Sequence, residues 1–136
     1  MGPAARTVGR WGAFGAYLAL TFWLSSRPLA TGSLVLPDWV FHALEFAGLS
    51  ALLLRALGGR FAGPHGMGTL MGVLIFGVAY GALDELHQGL VPGRESSLRD
   101  ALVDAAATTA TVGVAAVIGS AGRRRTEARA PGSARR

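Results

Sequence analysis

The chain has 136 residues, 51% of them hydrophobic and only 15% charged, with a mean hydropathy of +0.40. A soluble domain of this size carries about a quarter charged residues, so long apolar runs with so little charge point to lipid as the solvent and leave no room for a separate soluble catalytic domain. No cysteine is present, which excludes disulfides and thiolate metal sites, and the net charge of +5 is concentrated in a basic C-terminal stretch better suited to anionic lipid than to nucleic acid.

Met1 to Arg10 is short, basic and rich in small residues, and reads as an N-terminal segment ahead of the first helix. Trp11 to Ser26 is the first uncharged run, bounded by Arg10 and Arg27. A basic segment before an apolar one suggests a signal peptide. Trp11, Tyr17, Phe22 and Trp23, and the hydrophobic chain beyond, argue instead for a retained first helix. Its length is marginal against the roughly 20 residues a span requires.

Pro28, Gly32 and Pro37 mark a loop. Asp38 then stands where a helix begins, and acids favour the first turn. The second helix runs from there to Leu57, apolar except for His42, Glu45 and Arg55. Asp38, His42 and Glu45 follow an i, i+4, i+7 spacing and share one face. After a Gly/Pro loop from Gly58 to Gly66, the third helix extends from Met67 through Gln88. Gly68, Gly72, Gly77 and Gly81 permit close helix contacts. Tyr80, Asp84, His87 and Gln88 fall on one face, with Glu85 turned about 100° from Asp84.

Pro92-Gly93 is a turn signal. Ser97-Leu-Arg-Asp100 fits a capping box, so the fourth helix is expected from Leu98 to about Gly119. Asp104 is its deep charge, and Thr108 and Thr111 continue that face. Gly122 to Arg136 lacks apolar periodicity and is expected to be disordered. The expected fold is therefore an all-α integral membrane bundle of four transmembrane helices. It comprises a cytoplasmic N-terminal segment (1–10), the bundle (11–119) and a basic tail (120–136).

Four spans place both termini on one side, together with Arg6, Arg10, Arg55, Arg60 and the arginines of the tail. Arg27, Arg94 and Arg99 lie on the other. The positive-inside rule puts both termini in the cytoplasm of a cell membrane, and the tail decides the balance. Asp38, His42, Glu45, Asp84, Glu85, His87, Gln88, Arg94, Glu95, Asp100 and Asp104 then share the outer layer.

Four readings of that layer stand open. The acids cap helices and ion pairs clip the bundle together. Alternatively, the layer recognises an envelope lipid head group or glycan, with Arg94 and Arg99 holding phosphate or carboxylate. A metal site is weakly suggested by His42, Glu45, Asp84 and His87, which form two i, i+3 pairs. Acid–base catalysis by a carboxylate–histidine pair is the fourth, although no nucleophile is marked. His65 is expected to be solvated, and the tryptophans to belong to interfacial belts that imply no cofactor.

At these residues the chain resembles the VanZ-like family of small bacterial membrane proteins. The resemblance rests on Asp38-Trp-Val-Phe-His42-Ala-Leu-Glu45-Phe, on Asp84-Glu-Leu-His-Gln88 followed by Val91-Pro-Gly-Arg94, and on Asp100-x-x-x-Asp104 before a Gly/Ala-rich helix. Trp39 stands where the family usually has Lys, and Asp104 where it more often has Asn. The resemblance covers roughly Thr21 to Gly119. It implies that Asp38, His42, Glu85, Gln88, Pro92, Arg94 and Asp100 are the functional positions. It also implies a multi-pass protein acting in the cell envelope, since the family is named after a protein giving resistance to teicoplanin, a glycopeptide with a lipid tail that acts outside the membrane. A small membrane enzyme acting on a lipid-linked substrate and a purely structural protein are the alternatives.

Overall fold

The computed structural model describes residues 2–27, 37–61 and 63–129, without the side chain of Arg129. The loop expected around Pro28 to Leu36 and the last residues of the tail lie outside them. Four helices follow one another: α1 (Pro3–Ser25), α2 (Asp38–Gly58), α3 (Met67–Gln88) and α4 (Leu98–Arg129).

Local chemistry explains most of the boundaries. Asp38 occupies the first turn of α2, where a negative charge complements the helix dipole. That helix stops because Gly59 adopts a left-handed φ of 77° and returns its N–H to the Arg55 carbonyl at 2.9 Å. Another left-handed glycine, Gly93 with φ 82°, turns the chain between α3 and α4. The Ser97 hydroxyl accepts the Asp100 N–H at 3.2 Å and opens α4 at Leu98, the expected position.

Two boundaries differ from expectation. α1 begins at Pro3 rather than Trp11, with proline at a position where its missing N–H is harmless. α4 continues past Gly119 to Arg129. Apolar periodicity reports packing rather than helicity, and Arg123-Arg-Arg-Thr-Glu-Ala128 contains mostly good helix formers with no breaker.

Among the described residues, α2, α3 and α4 are the helices long and apolar enough to cross a membrane, rather than all four. α1 has the length, but Arg6 and Arg10 dilute its first third. The apolar exterior fits a lipid bilayer: Leu44, Ile75, Leu83, Leu86, Leu102 and Val117 are all largely exposed.

The helices run up and down in sequence. Phe46, Leu49, Leu53, Leu54, Val73 and Ala115 form the centre, with Phe14 of α1 added from the side. α3 lies tight against α4 because glycine faces it. A Cβ on Gly77 would stand 2.5 Å from Thr108 Cγ2, and one on Gly81 would stand 3.0 Å from Asp104 Cβ. Gly68, by contrast, faces open space. Toward the far end, Gly119 admits the loop after α2, where a Cβ would come 2.6 Å from the Gly63 carbonyl oxygen.

His65 in that loop is buried, contrary to expectation. Its ring fills the space left by the absent side chain of Gly58. Neither ring nitrogen has a hydrogen-bond partner among the described residues.

Candidate functional site

The start of α2, the end of α3 and the start of α4 meet at one end of the bundle. An aromatic floor lies beneath them. Phe46, one turn after His42, and Tyr80, one turn before Asp84, have ring centroids 5.9 Å apart, and Phe76 stacks on Tyr80 at 5.8 Å. These rings fill the apolar interior between α2 and α3 beneath the polar end of the bundle.

His42 is the hub. It is only 4% exposed, and its Nδ1 lies 3.1 Å from Asp104 Oδ1 and 4.0 Å from Glu85 Oε1. Asp104 is fully buried on α4. One turn further along, Ser50 donates to the Thr108 hydroxyl at 3.2 Å, so a polar seam continues between α2 and α4.

Asp84 and Glu85 both reach the interior despite their different helical phase. α3 is enclosed on more than one side, so consecutive residues contact different partners. The Gln88 amide donates to Asp84 Oδ2 at 2.7 Å. The Ser97 backbone N–H donates to Glu85 Oε2 at 2.6 Å. Glu85 Oε1 and Asp104 Oδ2 are buried with no hydrogen-bond partner among the described residues.

Arg94 acts as a brace. Its Nη1 donates to Gln88 Oε1 at 3.1 Å, its Nε to the Arg27 carbonyl at 2.9 Å and its Nη2 to the Leu24 carbonyl at 3.0 Å. A cation over the terminal carbonyls of a helix satisfies groups that have no helical partner and complements the dipole. The guanidinium expected to hold an anion is therefore attached to protein at all three nitrogens. Arg99 is exposed.

Other expected members sit outside this cluster. His87 faces α1, with Nε2 2.9 Å from Ser26 Oγ and its ring stacked on Phe22 at 4.7 Å. Tyr80 faces the same way and shares a 3.2 Å hydrogen bond with Thr21. His87 and His42 thus serve different neighbours. Glu45 is half-buried and makes no hydrogen bond or ion pair among the described residues, while Pro92 is exposed in its turn.

Asp38 and Asp100, both half-buried, come together with His42. One potential ligand atom from each of these residues lies within 4.8 Å of the others. His42, Asp84 and Glu85 form a second such group, all three buried. Around the cluster, Thr21, Ser26, Ser50 and Ser97 supply polar partners to Tyr80, His87, Thr108 and Glu85, and sequence reasoning gave only Ser97 a structural place. Small hydroxyl residues carry no distinctive spacing, so no signal marked the other three.

Chemically, the arrangement offers a buried histidine among carboxylates with two unused oxygens. It can bind a cation, accept hydrogen bonds from a polar ligand, or exchange a proton along the His42–Asp104 pair. No protein-family profile, curated protein or solved structure matches this chain.

Proposed function

We propose that the chain is a four-span, VanZ-like membrane protein with both termini in the cytoplasm, whose polar cluster faces outward and binds a polar molecule of the cell envelope. The ligand class is an envelope lipid head group, a glycan or a glycopeptide of the teicoplanin type. One observation carries the reading: His42, Asp84, Glu85 and Asp104, from three helices, converge at one bundle end while Glu85 and Asp104 keep buried oxygens unused. Buried polar groups without partners are rare and destabilising. A site that retains them serves something besides holding helices together.

Support for a fourth span comes from the length of α1. Its 23 residues reach about 34 Å at helical rise. Arg6 and Arg10 lie near one end of α1, where long basic side chains extend toward the head groups.

A second reading, a small enzyme acting on a lipid-linked substrate, is favoured by the 3.1 Å His42–Asp104 contact, since a buried histidine held by a carboxylate is suited to proton transfer.

The absence of cysteine makes the orientation directly testable. Ser96→Cys and Ser133→Cys variants are labelled in intact cells with a membrane-impermeant maleimide. Labelling at position 96 alone is expected. Labelling at position 133 alone inverts the topology and removes direct action on an extracellular molecule. Teicoplanin susceptibility that ignores both deletion and overexpression removes the resistance reading.

A further inference from the structure

We propose that His42, Asp84 and Glu85 bind one first-row divalent cation of the zinc or manganese kind, with Asp104 as a positioning residue behind His42. The inference deepens the reading of this cluster as a binding site, on which it rests, and is independent of which side of the membrane the cluster faces.

The donor geometry comes first. One atom from each of the three residues lies within 4.8 Å of the others, and all three side chains are buried. Side-chain rotation is enough to bring such atoms to coordinating distance of one ion, with the helices left in place.

The unused oxygens are the independent observation. Glu85 is 4% exposed and Asp104 is 0% exposed, and each retains a buried oxygen with no hydrogen-bond partner among the described residues. The unused oxygen of Glu85 is the one on the side of the His42 ring. Arg94 makes no direct ion pair with the cluster among the described residues, its three nitrogens being engaged by Gln88 and the carbonyls of Leu24 and Arg27. His42 is the base facing it from α2, His87 on α3 is turned toward α1, and Asp38, Glu45, Asp100 and Asp104 are the further acids near it.

Each prospective ligand also has an outer partner. Asp104 Oδ1 meets His42 Nδ1, so that the neutral ring protonated there offers Nε2 to the ion, while the Gln88 amide holds Asp84 Oδ2 and the Ser97 N–H holds Glu85 Oε2. Hydrogen bonds of this kind orient metal-binding groups and leave their other atoms free for the ion. The two ligand carboxylates, Asp84 and Glu85, balance a charge of +2 at a buried position, and a neutral imidazole completes the donor set. One nitrogen and two oxygens favour zinc or manganese over calcium and magnesium, which take oxygen ligands. Three protein ligands leave a coordination position for water or for an oxygen of the bound envelope molecule.

Asp38 and Asp100 offer an alternative triad around the same histidine. Both are half-exposed, so water satisfies their carboxylates. The buried triad has no such recourse, and the two can be separated by substitution.

The test uses the full chain purified in detergent, stripped with chelator and titrated with zinc or manganese chloride. Metal content and thermal unfolding are measured together. About one ion per chain and a concentration-dependent rise in Tm are expected. Glu85→Gln should abolish saturable binding, while Asp104→Asn should retain the stoichiometry with about 10- to 100-fold weaker affinity. Asp38→Asn and Asp100→Asn should bind as the unaltered protein does. Failure of the unaltered protein to take up either ion overturns the metal site whatever the variants do, and leaves the labelling result for the envelope reading untouched. Binding that survives Glu85→Gln, or that disappears with Asp38→Asn, overturns this choice of ligands. Labelling of position 133 alone defeats the outward envelope reading without affecting the metal titration.

Discussion

The carboxylate of Glu85 receives the backbone N–H of Ser97 at 2.6 Å, so the last turn of α3 closes the open end of α4. In a capping box that N–H belongs to the acid three residues after the cap. Here Glu85 supplies the acceptor, and Asp100 comes together instead with Asp38 and His42.

Substitution at this junction should separate the roles of the acid. Glu85→Ala is expected to destabilise the bundle by about 1–3 kcal/mol by removing the acceptor. Glu85→Gln retains a carbonyl oxygen there and should be milder. Ser97→Ala should cost about 1 kcal/mol as a lost cap. Thermal unfolding in detergent measures all three, and equal losses for Gln and Ala at position 85 would remove the acceptor role.

Arg94 holds α1 through two backbone carbonyls, those of Leu24 and Arg27. Arg94→Lys keeps the charge but loses the fork. It should weaken the attachment of α1 nearly as much as Arg94→Ala, by about 1–3 kcal/mol. Hydrogen exchange at the end of α1 reads this locally. Full protection in the lysine variant would show that charge alone suffices.

The α3–α4 contact should tolerate no added methyl at Gly77. A Cβ there meets Thr108 Cγ2 at 2.5 Å, so Gly77→Ala is expected to destabilise by about 1–3 kcal/mol. Gly68→Ala adds a methyl in open space and should be neutral or slightly stabilising through helix propensity. The two variants form an internal comparison in one unfolding experiment.

At the far end, His65 lies where a Gly58 side chain would be. Gly58→Ala should therefore destabilise the chain, and His65→Ala should relieve that loss in the double variant. The expected coupling is about 0.5–3 kcal/mol. Simple additivity in a double-mutant cycle would place the ring elsewhere.

The sequence made some features legible because local chemistry alone determines them. The start of α4 follows from the Ser97 hydroxyl that caps it, although Glu85 of α3 takes the other half of the cap, and the span of α3 needs only an apolar run between glycine-rich breaks. The grouping of Asp38, His42 and Asp100 followed from helical spacing plus an up-and-down topology. Spacing could not say which face a neighbour covers. Tyr80 and His87 consequently turned to α1, while Asp84 and Glu85, on different faces, both became buried. Arg94 showed the same limit: its partners are main-chain carbonyls far away in sequence, and carbonyls have no residue-type signature. The burial of His65 depended on an empty space at Gly58, which only the assembled loop reveals.

The distribution of the cluster over three helices also sets an order of assembly. His42 leaves the ribosome first and Asp84 and Glu85 follow, yet the Ser97 N–H and the Asp104 carboxylate come last. A nascent chain ending after α3 would present its acids to the insertion machinery without their final partners. Completion of α4 is therefore the step at which this end of the protein acquires its interior.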